Sequence, residues 1–181
     1  MARRGAGLLA LTAALLLAAC GGGGGGGGGG GPTQPQPSIT FAPSGSATGI
    51  VLASGAATTT TTLVLEVDAV QVTGLFGVAF DLDYPTSVLR FAGFKPGTFL
   101  ANGGAQLTTQ VVETAPGHLV VGVSRLGNVS GVDGGGTILE LDFTATAAGS
   151  GNLAFSKNNA YRNDATPLTL GWGAGSVTVV Q

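Results

Sequence analysis

One histidine, one cysteine and nine acidic residues are the groups in this 181-residue chain that could do chemistry. His118 could act as a general base only beside a nucleophile. Ser124 lies six residues along the same expected strand, roughly 20 Å away at ~3.3 Å per residue, far beyond hydrogen-bond reach. His118 follows Ala115-Pro116-Gly117 and reads as a surface residue at a hairpin end. Three acid pairs stand at i, i+2: Glu66/Asp68, Asp81/Asp83 and Glu140/Asp142. That spacing puts both carboxylates of a pair on one strand face. A glycosidase needs two carboxylates facing across a cleft at ~5–10 Å, and no cleft is legible. Calcium accepts carboxylate and carbonyl oxygens, which makes Asp81 and Asp83 calcium candidates. No EF-hand pattern accompanies them, and solvated strand faces account for all three pairs without a ligand. The expectation is a protein with no catalytic residues and no required cofactor.

Other residue types narrow the classes further. One cysteine permits no intramolecular disulfide, and one histidine with one cysteine excludes zinc-finger sites. Seven Lys and Arg against nine Asp and Glu give −2. With no basic block, this argues against a nucleic-acid partner. Trp172, flanked by Gly171 and Gly173, could stack on a sugar ring, with Tyr161 from a polar loop completing a platform. The more common role of such a tryptophan is a plug at the open end of a sandwich. Gly134-Gly135-Gly136 reads as a turn, because no Lys-Ser/Thr follows to make a phosphate cradle.

The N-terminal residues 1–19 read as a lipoprotein signal peptide. Arg3 and Arg4 precede an apolar stretch, Leu8 to Ala19, broken only by Thr12. It is too short to span ~30 Å of hydrocarbon at 1.5 Å per residue and fits the core of a secretory signal. Leu17-Ala18-Ala19-Cys20 resembles the lipobox of bacterial lipoproteins. That resemblance implies acylation of the Cys20 thiol, a membrane anchor through lipid, and export. With Gly21 after the cysteine instead of aspartate, it points to the outer membrane or cell surface. Loss of residues 1–19 would leave five basic and nine acidic residues, a charge of −4. Residues 20–37 hold the eleven glycines Gly21 to Gly31 and a Pro/Gln segment, and read as a disordered tether.

Residues 38–181 form the expected folded domain. They carry period-2 patterns and no convincing helix. Leu63, Leu65 and Val67 share one face, as do Phe76, Val78, Phe80 and Leu82, and Leu139, Leu141 and Phe143. Further strands are expected at 39–42, 88–94, 106–113, 118–125, 152–156 and 176–180, separated by Gly, Pro and Asn turn signals. The fold class is therefore all-β: a two-sheet antiparallel β-sandwich of jelly-roll topology with about nine strands.

The order of these motifs resembles a cohesin domain. Gly77-Val78-Ala79-Phe80-Asp81-Leu82-Asp83-Tyr84-Pro85-Thr86-Ser87-Val88-Leu89 is similar to the family's alternating strand followed by Tyr-Asp-Pro-x-x-Leu, and Lys95-Pro96-Gly97 to its Pro-Gly turn. Val129-Ser130-Gly131 and Gly136-Thr137-Ile138-Leu139-Glu140-Leu141-Asp142-Phe143 are similar to its later turn and strand. Two departures stand out. Pro85 comes one place early, without the aspartate. Gly77 and Ala79 occupy outward places where cellulosomal cohesins of the first type carry Asn and Asp that bind a dockerin.

The resemblance implies a non-catalytic attachment module on the cell surface, with a dockerin-like or other protein partner and a possible link to polysaccharide breakdown. The alternative is a carbohydrate-binding module of similar form, with polysaccharide as partner. The expected partner face is Gly77, Ala79, Asp81 and Asp83 beside Val120, Gly122 and Ser124. It should be flat and small-residued at one end and acidic at the other.

Overall fold

Ten strands make up the computed structural model, which describes residues 36–181. They are β1 (Ser38–Gly45), β2 (Gly49–Ser54), β3 (Thr62–Leu75), β4 (Gly77–Asp83), β5 (Leu89–Pro96), β6 (Leu107–Ala115), β7 (His118–Arg125), β8 (Val132–Ala145), β9 (Gly149–Tyr161) and β10 (Trp172–Val180). The signal segment, Cys20 and nearly all of the tether lie outside the described residues. The unit Gln34–Gln181 is compact and contains every residue of the hydrophobic core.

Hydrogen bonding runs β5-β8-β3-β2-β10-β9-β4-β7-β6, with β1 on β10. Two layers arise because β9 changes partners along its length. Its first part, Gly149–Leu153, pairs with β10, and Ala154–Tyr161 pairs with β4. One layer is β5-β8-β3-β2-β10 with β1, and the other is β9-β4-β7-β6. All pairings are antiparallel except a short parallel contact that sets Ile50 beside Trp172 and Val51 beside Gly173.

The period-2 pattern is what builds the core. Leu63, Leu65 and Val67 on β3 are buried with Leu139, Leu141 and Phe143 on β8. From the second layer come Val78, Phe80 and Leu82 on β4 and Leu119, Val121 and Val123 on β7. Alternation sends one side chain in two to the interior, so each layer seals the other.

Two expectations need correction, and the choice between two roles for Trp172 is decided. β2 was not anticipated: Ile50 and Leu52 are both buried, but the run is six residues and flanked by Gly and Ser signals. Gly134-Gly135-Gly136 is not a turn. It lies inside β8, where β3 and β8 slip register through successive bulges, and extra residues in a bulge favour glycine. Trp172 is not a surface platform. Its ring packs edge-on against Phe155 at 5.0 Å and Phe80 at 5.7 Å, between the layers. The plug reading describes it.

Loop ends are fastened by polar groups. The buried Arg125 donates from Nη1 to the Leu100 carbonyl at 2.5 Å and from Nη2 to the Asn102 carbonyl at 3.0 Å. Tyr84, at the end of β4, donates its hydroxyl to Glu113 at 2.5 Å and accepts from the Phe91 amide at 3.3 Å. A residue of the resembled motif thus ties β4 to β5 and β6.

Candidate functional site

The outward face of the β9-β4-β7-β6 layer gathers the expected partner residues. Gly77 pairs with Ser124, Ala79 with Gly122, Asp81 with Val120 and Asp83 with His118. Opposed residues of an antiparallel ladder point to the same side, so these pairs form successive rungs. β9 and β6 extend each rung. The first reads Tyr161, Gly77, Ser124, Thr108, and the second Asn159, Ala79, Gly122, Gln110. Val112 stands opposite Val120 on the third. These two are among the few large apolar side chains left exposed, at 42% and 39%.

The floor is not uniformly flat. A shallow depression of about 300 Å³ lies over Gly77, Ala79 and Gly122, bounded by Tyr161, Thr108 and Gln110. A second of about 420 Å³ lies over Ala79, Gly122 and Val120, bounded by Gln110 and Val112. Tyr161 borders the first while Trp172 is inside the sandwich, so the two do not share a sugar platform.

The two floor glycines differ in cause. A Cβ on Gly77 would come within 3.0 Å of Ser124 Oγ and 3.1 Å of the Val123 carbonyl, so packing inside the layer explains it. A Cβ on Gly122 would meet nothing within 4 Å, and its backbone is not in the left-handed region. Neither packing nor conformation calls for glycine at Gly122. Gly inside a strand weakens it and often marks a place where another molecule approaches closely.

The far end of the face is less acidic than expected. Asp81 is buried at 5% exposure. Its Oδ2 lies 2.8 Å from Lys157 Nζ and 3.3 Å from His118 Nε2. The Lys157 contact is the shorter of the two ion pairs. His118 Nδ1 lies 2.6 Å from Asp83 Oδ1. His118 is therefore not a solitary surface residue but a bridge between two aspartates. Lys157 holds the Asp81 carboxyl below its ordinary range, with His118 assisting against the opposing effect of burial. The bond to Asp83 raises the His118 ring above its ordinary value, and Asp81 raises Lys157. Lys157 reaches Asp81 from a left-handed backbone, φ 48°, at a bulge where β4 and β9 slip register between Ala79 and Asp81. Bulges re-aim side chains in this way.

As calcium candidates, Asp81 and Asp83 thus face protein cations. Among the described residues, no three His, Cys, Asp or Glu side chains are grouped to hold a metal ion. Ser124 is three rungs from His118, and the two do not meet. The other acid pairs come together on the opposite layer, where Glu66 stands opposite Glu140. Lys95 lies 3.6 Å from Glu140 and 3.3 Å from Asp142. Burial, then Asp68 and Glu140, push the Glu66 carboxyl up.

Sequence reasoning missed the β6 and β9 contributions: Thr108, Gln110 and Val112, and Lys157 and Asn159. Alternation in Leu107–Val112 marks the strand and the Pro116-Gly117 turn marks its hairpin with β7, but nothing local says that this hairpin lies beside β4.

Among solved structures, the chain is similar to the sixth cohesin of Acetivibrio cellulolyticus scaffoldin B in complex with a dockerin. Identity is 13%, covering 75% of this chain and 96% of that one, with a TM-score of 0.50. It is also similar to the second type II cohesin module of that organism's adaptor scaffoldin, at 14% identity, 75% and 84% coverage and a TM-score of 0.50. A non-cellulosomal cohesin of Archaeoglobus fulgidus aligns at 18% identity over 75% and 90% of the chains, TM-score 0.48. No curated protein matches. The cohesin domain family model covers residues 47–167, which is 121 of 181 residues and takes in all of β2 through β9. On that match, the chain belongs to the cohesin family.

Proposed function

We propose that this protein is a non-catalytic attachment module whose β9-β4-β7-β6 face receives a protein partner of dockerin type or similar build. The observation that carries the reading is Gly122. It is a mid-strand glycine with open space above it and no internal reason to lack a side chain, at the point where both depressions meet. A close-packed partner supplies the missing reason. The rims offer hydrogen-bonding side chains at Asn159, Gln110, Thr108 and Tyr161, and an apolar contact at Val112 and Val120. The solved relatives include a cohesin in complex with a dockerin, which favours this class of partner.

The floor differs from that of first-type cellulosomal cohesins, because Gly77 and Ala79 have no side-chain donors or acceptors. A partner must therefore gain its polar contacts at the rims, and weak or no capture of first-type dockerins is expected. The role is completed, in this reading, by acylation of Cys20, which holds the module at the outer membrane or cell surface and brings its partner there. A partner acting on polysaccharide fits such an arrangement.

The test is capture from the native lysate by immobilised protein, wild type beside Ala79→Arg. Loss of a captured dockerin-bearing protein in the variant supports the assignment. Equal capture by both moves the site off this face.

A further inference from the structure

The exposed edge of β6 differs from the other open edges of the two layers. Across its own layer, the outer part of β9 carries Lys157 and a bulge against β4. β5 pairs only with β8, and it carries Arg90, Lys95, Pro96 and a bulge between Phe91 and Gly93. β1 pairs only with β10 and contains Pro43. Charges, prolines and bulges are the usual means of keeping an edge from joining another strand. β6 pairs only with β7 and runs without a bulge from Leu107 to Glu113. It has no Lys, Arg or Pro, and its Thr- and Val-rich sequence suits a strand.

Its single charge is already engaged. Glu113 Oε1 accepts from the Tyr84 hydroxyl at 2.5 Å and from the Gly117 amide at 3.3 Å. The direction of the free backbone groups follows from the ladder. The Leu126 amide donates to the Gln106 carbonyl, which places Gln106 in a hydrogen-bonded pair with β7. Pairing alternates along an antiparallel strand. Thr108, Gln110 and Val112 therefore bond to β7, while Leu107, Thr109, Val111 and Glu113 present amides and carbonyls to the open side.

We propose that β6 is a self-association edge, pairing antiparallel with β6 of a second copy about a two-fold axis through Gln110. That register uses the whole bulge-free stretch. Thr109 then exchanges hydrogen bonds with Val111 of the second copy, and Leu107 with its Glu113. Gln110 faces its own counterpart in a non-hydrogen-bonded pair. The exposed Val112 gains Thr108 as a cross-strand neighbour, and no like charges stand opposite. A second copy is favoured over an unstructured peptide because its edge is already ordered. A peptide would lose about 1–2 kcal/mol of backbone entropy per residue on pairing.

The test uses residues 34–181, the compact unit that contains the core and lacks Cys20. Sedimentation velocity across a concentration series should show a monomer–dimer equilibrium. Thr109→Pro removes one outward amide without touching the β7 ladder and should sediment as a folded monomer. Gln110→Cys should form a covalent dimer on mild oxidation, since non-hydrogen-bonded partners sit about 4.5 Å apart at Cα, within disulfide range. Asn163→Cys, in an exposed loop, is the control and should not. A wild-type unit that stays monomeric up to millimolar concentration overturns the proposal. So does a dimer that survives in folded Thr109→Pro, or crosslinking no greater at Gln110→Cys than at Asn163→Cys.

Discussion

Ala79 of β4 stands directly opposite Gly122 of β7, and the two form the floor shared by both depressions of the candidate docking face. The pair separates fold from function. Ala79 is only half-buried and faces outward, so Ala79→Arg should leave the melting temperature nearly unchanged while abolishing partner capture. Gly122→Ala has room for its methyl group and should stabilise the strand by about 0.5–1 kcal/mol while weakening capture. A variant gaining both stability and capture would contradict a close-packed partner at this point. Thermal melts and pull-downs of the same preparations check both effects.

Phe80 is next to Ala79 in sequence and on the opposite side of the sheet. It is 2% exposed, with its ring edge-on to Phe155 at 5.0 Å. Phe80→Ala should cost ~3–5 kcal/mol, a large share of a domain's stability. Ala79→Ser should cost little. Urea unfolding of the two variants measures the contrast, and comparable losses would mean that the strand faces are misassigned.

The His118–Asp83–Asp81–Lys157 group predicts a stability plateau in pH. His118 is raised above its ordinary 6.5, so its contribution is whole below that value and lost as pH rises through the raised value. Asp81 is lowered below its ordinary 3.8, so its contribution is whole above that value and lost as pH falls through the lowered one. Between these limits both contacts hold. His118→Asn should flatten the alkaline slope and only reduce the acid slope, because Lys157 is the larger influence on Asp81. Denaturant midpoints measured across pH would show it. An unchanged alkaline slope in the variant would assign that slope to another group.

The anchor is tested outside the described residues. If Cys20 is acylated, the protein should partition into a detergent phase, and Cys20→Ala should release it or block its maturation. Mass spectrometry finding an unmodified Cys20 in soluble wild-type protein would remove the anchor from the proposal.

The substitution Tyr84→Phe tests the link from the motif to the layer edge. Loss of the hydroxyl bond to Glu113 should cost about 1.5–3 kcal/mol, as for hydrogen bonds to charged groups. It should also loosen the β6 end near Gly117. Hydrogen exchange at the Phe91 and Gly117 amides gives the local readout.

Period-2 alternation by itself determined the strand faces. Leu63, Leu65 and Val67, and Val78, Phe80 and Leu82, are buried as their spacing requires, because only one side of a strand can face the other layer. Phe76, expected in the same set, lies just before β4, is only half-buried and borders the first depression instead of joining the core. The same spacing also determined that Gly77, Ala79, Asp81 and Asp83 share the opposite side. Alternation is identical whatever the neighbour, however, so it could not say which strands adjoin. The Pro116-Gly117 turn makes β6 and β7 a local hairpin, but only the tertiary structure set β7 beside β4 and β9 across both layers, since those pairings are settled by closure of the whole sandwich. The same reason hid the chemistry of the acidic end. Lys157 is 76 residues from Asp81 in sequence, and a bulge with a left-handed residue turns it onto that carboxylate. Trp172 likewise looks exposed between two glycines. It is half-buried because its ring packs against Phe80 of β4 and Phe155 of β9, residues of the other layer that no local pattern connects to it.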